Sequence, residues 1–303
     1  MMNSPIQILK NPPGDYTIGV LREDRLDPLI SGNKFRKLKY HLESYHFGDY
    51  RAIGTFGGAF SNHLLAVAAA GKKHQIPTLA WVRGEEWATK IAASETLKRC
   101  SDLGMTLHCI PRAQYAEWTA GNLPPQFSSG IYTIPEGGSN AIGVRGCMEI
   151  LGEHTAAFDV VCVSVGTGAT LAGIAKSVKP HQKAMGFLSL KHHQLAEQIS
   201  EWSSAASFEL CADYTFGGYG KIDQTLVSFM NEFYQKEEIP LDPIYTSKML
   251  FGIFDLIQKK QWTWGSRILA IHTGGLQGLL GMHNRLLQKG QNGFTFMDTL
   301  AYY

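Results

Sequence analysis

The sequence predicts an α/β protein of two lobes, built on mostly parallel, twisted sheets with helices on both faces. Three observations carry that prediction. The chain has 303 residues, enough for two lobes and a large buried core. Short β-rich runs alternate with longer helical patterns, the order that parallel strands and crossover helices produce. Glycine supplies 32 residues, clustered at 54–58, 137–146, 166–173, 217–220 and 274–281. At strand–helix junctions such clusters let backbone approach a ligand closely.

Taken in order, strands are expected at 52–56, 78–82, 106–110, 160–165, 184–190 and 267–272. The run Val160-Val161-Cys162-Val163 is apolar on both alternating faces, as a strand covered on both sides requires. Helical patterns fall between them at 62–74, 88–103, 144–154, 170–179, 223–236, 247–260 and 276–289. The Pro-containing stretch 121–129 reads as a surface loop inside a lobe.

Composition narrows the function. Hydrophobic residues make up 44% and charged residues 18%, a globular balance rather than a disordered one. The 28 basic and 26 acidic side chains leave +2 with no basic stripe, which argues against nucleic-acid binding and against a helix for anionic membranes. Cys100, Cys109, Cys147, Cys162 and Cys211 are odd in number and lack a Cys-x-x-Cys pair, so neither a disulfide framework nor a zinc ribbon is expected. The histidines offer no metal spacing on a helix, and His192-His193 read as surface residues. No metal site is expected. Residues 1–13 lack a signal-peptide core and no apolar run reaches membrane-spanning length, so a soluble cytoplasmic protein is expected.

Three segments carry chemistry. Ser31-Gly32-Asn33-Lys34 turns the chain into an amphipathic helix with Leu38 and Tyr40 facing the core. From spacing alone, the basic residues Lys34, Arg36, Lys37 and Lys39 read as a solvated helix face. The functional alternative is a lysine whose pKa is lowered by burial toward Schiff-base chemistry. Ser61-Asn62-His63 opens an alanine-rich helix, whose start is a seat for a carboxylate or phosphate. Ordinary capping by Ser61 explains the same residues. Gly166-Thr167-Gly168-Ala169-Thr170 follows a buried strand and opens a helix, a phosphate cradle of backbone amides and hydroxyls that is not a Walker loop. Tyr219, Tyr245 and His272 each read, taken singly, as packing or structural residues.

In this order, Ser-Gly-Asn-Lys, Ser-Asn-His, Gly-Thr-Gly-Ala-Thr and His-Thr-Gly-Gly resemble the pyridoxal-phosphate-dependent family of D-cysteine desulfhydrase and 1-aminocyclopropane-1-carboxylate (ACC) deaminase. That family has the fold-type-II, tryptophan-synthase β-like architecture. Pro135-Glu136-Gly137-Gly138-Ser139-Asn140 with Gly143 and Gly146 matches as well. The resemblance runs from about residue 20 to about residue 282.

The resemblance implies pyridoxal 5'-phosphate held covalently by Lys34, with Asn62 on its ring hydroxyl and Gly166, Thr167, Gly168, Ala169 and Thr170 around its phosphate. It implies Ser61, Asn62 and His63 at the substrate carboxylate, and Lys34, Ser61, Tyr219 and Tyr245 as catalytic residues. It adds Tyr245, Thr246 and Thr273 beside the cofactor, a small amino acid as substrate, and a homodimer. The lobes implied are 1–38 with 142–303, and a smaller one, 39–141, inserted between them. Members that open the cyclopropane ring have Glu after the Tyr245-type tyrosine and Leu at the Thr273 position; Thr246 and Thr273 stand here instead. A carboxylate at the ring nitrogen keeps it protonated and strengthens the electron sink, whereas a hydroxyl supplies only a hydrogen bond. Expulsion of a β-thiol tolerates the weaker sink better than ring opening does. The expected reaction is therefore α,β-elimination from D-cysteine, with ACC deaminase as the alternative and a non-catalytic cofactor-binding protein as the third. Phe60 departs from the family's Gln, and Leu64-Leu65 from its polar pair, which makes this end of the site more apolar.

Overall fold

The structure is a computed structural model that describes residues 3–190 and 194–300. His192 and His193 lie outside the described residues. The described residues form ten strands: β1 (Ile6–Ile8), β2 (Thr17–Leu21), β3 (Ala52–Gly57), β4 (Thr78–Arg83), β5 (Thr106–Ile110), β6 (Ile131–Ile134), β7 (Val160–Val165), β8 (Lys183–Leu188), β9 (Glu209–Cys211) and β10 (Arg267–Ile271). The chain divides into two units: one runs up to Asn33 and resumes at Cys147, and the other is Lys34–Gly146.

The first unit holds a six-stranded sheet in the order β1-β2-β10-β7-β8-β9. In it β1 runs antiparallel to β2, and the other pairs are parallel. All six residues of β7 are buried, and the helices Ala169–Ala175 and Thr246–Gln258 pack against β7 and β8. Val160, Cys162, Met185, Met249, Leu250, Ile253 and Ile268 sit at the centre of its core. Strand pairing sets Val165 beside Leu188 and Ala270 beside Cys162. Because these strands are parallel, the turns that follow β7, β8 and β10 leave the sheet at one end, where ligands bind in such sheets.

The second unit holds the all-parallel sheet β5-β4-β3-β6. The helix Asn62–His74 buries His63 through Gly71 and packs on β3 and β4. Phe56, Trp81, Tyr115 and Trp118 form an aromatic cluster in this unit, joined by Ile110.

Several expectations change. The helix at 88–103 begins only at Glu95, because Ser94 caps it by accepting from Leu97 N–H while donating to Ala59 O at 2.5 Å. The helix at 144–154 is Ala141–Cys147, started by Asn140 Oδ1 on Gly143 N–H at 3.0 Å. Residues 121–129 include the short helix Pro125–Ser128. The basic face of the helix Asn33–Phe47 is not solvated: Arg36 is 3% and Lys37 1% exposed. Leu38 is buried as expected, while Tyr40 is only half-buried and lies under the Arg145 guanidinium at 3.9 Å. Among the described residues no helix is long and apolar enough to cross a membrane.

Candidate active site

In the first unit the glycine turn after β7 sets the geometry. Gly168, in the left-handed region at φ +89, stands at the N-cap of the helix Ala169–Ala175. Its early N–H groups have no intrahelical partner, which is the arrangement that holds a phosphate. Gly166 leaves room for an aromatic ring: a Cβ there would lie 3.2 Å from Tyr245 Cε1. Thr170 is buried and accepts from Asn33 Nδ2 at 2.8 Å, and Thr167 is exposed on the turn. Asn33 is the residue immediately before Lys34 in the chain, so this bond ties the lysine's predecessor to the glycine turn. Gly32 makes the approach possible, since it adopts φ +64 and its Cα lies against the Thr273 carbonyl, where a Cβ has no room. Asn33 N–H donates to that same carbonyl at 3.3 Å.

Asp242 builds the neighbouring wall. It is buried, and its carboxylate accepts from Ile244 N–H at 3.0 Å, Tyr245 N–H at 2.7 Å and Thr246 N–H at 2.8 Å. An Asp followed by Pro is an Asx-turn signal that sequence reading can use, and here it orients Tyr245 and Thr246. The Tyr245 and Tyr219 rings meet edge-on, with centroids 6.1 Å apart. Tyr219 is 45% exposed. Thr246 is fully buried, and among the described residues its Oγ1 has no hydrogen-bond partner; Ser247 Oγ and Ser189 Oγ share that condition. Buried hydroxyls without partners are costly, and a heteroaromatic ring nitrogen would satisfy Thr246. Thr273 is buried after β10. His272 Nε2 lies 2.8 Å from Pro240 O, and its Nδ1 lies 3.2 Å from Gly274 N and 3.7 Å from Asp24 Oδ1, a structural role.

The second unit carries Lys34, half-buried in the helix Asn33–Phe47, and the Ser61-Asn62-His63 helix start. Ser61 caps that helix, its Oγ accepting from Leu64 N–H at 3.4 Å. Capping consumes one N–H and leaves the first-turn amides for an anion. The His63 ring is turned inward. Its Nε2 lies 2.8 Å from Thr55 Oγ1, which itself donates to Ile134 O at 2.9 Å, so Nε2 carries the proton and Nδ1 is a buried acceptor without a partner. Burial and the charges of Lys34 and Lys37 hold His63 well below the usual histidine range. What His63 offers at the helix start is therefore its backbone N–H. Phe60, just before the cap, is 56% exposed and meets Trp87 edge-on at 5.4 Å.

Three polar residues, one of them (Lys37) read as part of a solvated face, were not among the expected site residues. Lys37 Nζ donates to Gly137 O at 3.0 Å and Ser139 Oγ at 3.1 Å, holding the 136–140 turn. His41 bonds Tyr132 OH at 2.9 Å, and burial with the Lys37 charge lowers it to about 4. Lys248 donates to Thr215 O at 2.8 Å and Gly218 O at 2.9 Å, with burial lowering it to about 8 against the pull of Asp242. No local motif marks any of the three, because their partners are remote carbonyls or hydroxyls.

Comparison with known proteins agrees with this chemistry. The family model of pyridoxal-phosphate dependent enzymes matches residues 15–274. A Pyrococcus horikoshii protein named "Putative 1-aminocyclopropane-1-carboxylate deaminase" is 31% identical, covering 94% of this chain and 93% of its own. The D-cysteine desulfhydrase of Klebsiella pneumoniae is 28% identical, over 89% of this chain and 90% of that one. A crystal structure of an ACC deaminase homologue superposes with a TM-score of 0.82 at 28% identity, over 95% of this chain and 94% of that chain.

Proposed function

The chain belongs to the pyridoxal-phosphate dependent enzyme family, and from that premise we propose that it is a lyase catalysing α,β-elimination on a small amino acid. The substrate proposed is D-cysteine, which with water gives pyruvate, ammonia and hydrogen sulfide. The observation that supports this choice is the buried, neutral Thr246 hydroxyl without a partner.

When bound, pyridoxal phosphate supplies an electron sink for charge developing at the substrate Cα. In this reading Thr246 accompanies the ring nitrogen as a hydrogen-bonding hydroxyl, with Thr273 close by, and no carboxylate enforces its protonation. The Asp242 carboxylate is committed to three backbone N–H groups. Gly166 through Thr170 would hold the phosphate, and Asn62 the ring hydroxyl. Ser61, Asn62 and the His63 N–H receive the substrate carboxylate at a helix start. Lys34 would hold the cofactor through its amine, and the same Nζ would be the base for the substrate Cα proton. Tyr219 and Tyr245, whose rings meet edge-on, would supply the hydroxyls that move protons during elimination. The same reading makes the protein a cytoplasmic homodimer.

A second reading is ACC deamination, ring opening to 2-oxobutanoate and ammonia. The comparisons favour it by name, since the Pyrococcus relative and the superposed structure both carry that designation. Purified protein given each substrate separately decides between them. Pyruvate from D-cysteine, with 2-oxobutanoate from ACC at least about 100-fold slower, is the expected result, a gap of roughly 2.7 kcal/mol in barrier. Faster turnover of ACC would install the second reading.

A further inference from the structure

Lys248 is 1% exposed in a helix whose neighbouring positions are Met249, Leu250 and Ile253, all buried and apolar. A cation in such a place is expensive unless it does something that methionine or leucine would not. Its Nζ is spent on two backbone carbonyls, Thr215 O at 2.8 Å and Gly218 O at 2.9 Å. Those same carbonyls also accept Gly218 N–H at 3.0 Å and Lys221 N–H at 3.3 Å, so the ammonium sits at the knot of the loop.

The loop needs such a knot. Phe216, Gly217, Gly218 and Gly220 all have positive φ, at 52°, 84°, 116° and 67°. A Cβ placed on Gly218 or Gly220 would meet nothing within 4 Å, so packing does not wedge the loop at those points. Tyr219 lies between them. Lys248 is also one helical turn beyond Tyr245, whose N–H and that of Thr246 are held by Asp242. One rigid segment, 242–248, thus holds Tyr245 directly and the Tyr219 loop through a side chain.

We propose that Lys248 is a positioning residue that clamps the 215–220 loop and so fixes the Tyr219 ring against Tyr245 for the proton steps of the reaction. The proposal rests on the role given to Tyr219 above. It assigns Lys248 no contact with substrate or cofactor: its effect passes through two carbonyls to a neighbouring side chain. Methionine has similar length and no donor, so Lys248→Met removes the clamp while filling the space.

The test uses holoenzyme of wild type, Lys248→Met, Tyr219→Phe and the double variant. Amide hydrogen exchange is read first, because it needs no turnover. Lys248→Met is expected to speed exchange in 216–220 by about 10-fold or more while 166–170 stays unchanged. Unchanged exchange in 216–220, or a uniform rise across the chain, would overturn the clamp. Steady-state kinetics on D-cysteine then ask whether Lys248 acts through Tyr219. Lys248→Met is expected to lower kcat with little change in KM, and to cost nothing further in the Tyr219→Phe background. Independent, multiplying losses would contradict that route. If wild type binds cofactor but leaves D-cysteine untouched, the elimination reading fails, and the exchange data alone decide on Lys248. Should Lys248→Met not fold, Gly218→Ala loosens the same knot from the loop side, with the same local exchange and the same non-additivity expected. Protection of 216–220 undiminished in that variant would count against the clamp.

Discussion

At the scale of the residue, Asp242 shows how much one side chain can organise. Three backbone N–H groups converge on its carboxylate, and the residues they belong to include the two that face the cofactor in the proposed reaction. A buried carboxylate with three donors is a strong cap. Replacing it strands those donors, the Thr246 N–H in a buried place. Asp242→Ala is expected to cost about 2 kcal/mol of stability and to weaken cofactor binding. Urea denaturation with a cofactor titration checks both; a variant with unaltered stability and affinity would show that the wall holds without it.

Elements show which parts of the fold were legible in the sequence. The strands β5 and β7 were expected at the bounds observed, and β3 and β4 extend one residue beyond the expected end. Unbroken apolar runs signal a strand covered on both faces. The strands β1, β2, β6 and β9 went unread. Both β1 and β9 are three residues long, too short to establish a period, and β6 lies next to a glycine turn in a mixed sequence. The helix Asn62–His74 was expected at the bounds observed, because its Ser cap and alanine run are local signals. The helix Asn33–Phe47 was recognised, but its basic face was read as solvated. Lys37 is instead buried on Gly137 O, one hundred positions away in sequence, and nothing near Lys37 announces that carbonyl. Glycine turns were legible as backbone-lined sites, while the contact that requires Gly32, the Thr273 carbonyl, is again remote. Local chemistry is written locally; burial of a charge depends on partners that only the tertiary fold supplies.

At the scale of the whole molecule, the buried histidines of the second unit tie stability to pH. His41 is lowered from 6.5 to about 4, by burial first and then by the Lys37 charge. His63 is lowered in the same direction, by burial and by Lys34 and Lys37. In the unfolded chain both bind protons near the ordinary histidine value, so below it the unfolded state holds more protons and is favoured. Their contribution is complete above about pH 6.5 and is lost as pH falls toward 4. His41 alone accounts for about 3 kcal/mol over that interval. Urea midpoints measured from pH 7.5 down to pH 4.5 are expected to fall steadily, before most carboxylates titrate. A flat profile there would mean that these rings take up protons in the folded state.

The central claim is that Lys34 carries a cofactor and uses it for elimination, and an absorbance spectrum followed by D-cysteine in one cuvette tests it most directly. Wild type with pyridoxal phosphate is expected to show the cofactor–lysine band at about 410–420 nm, and Lys34→Ala is expected to lack it. Adding D-cysteine to wild type is expected to shift the band while pyruvate accumulates. A band that persists in Lys34→Ala, or that never forms in wild type with added cofactor, would contradict the account at its first residue.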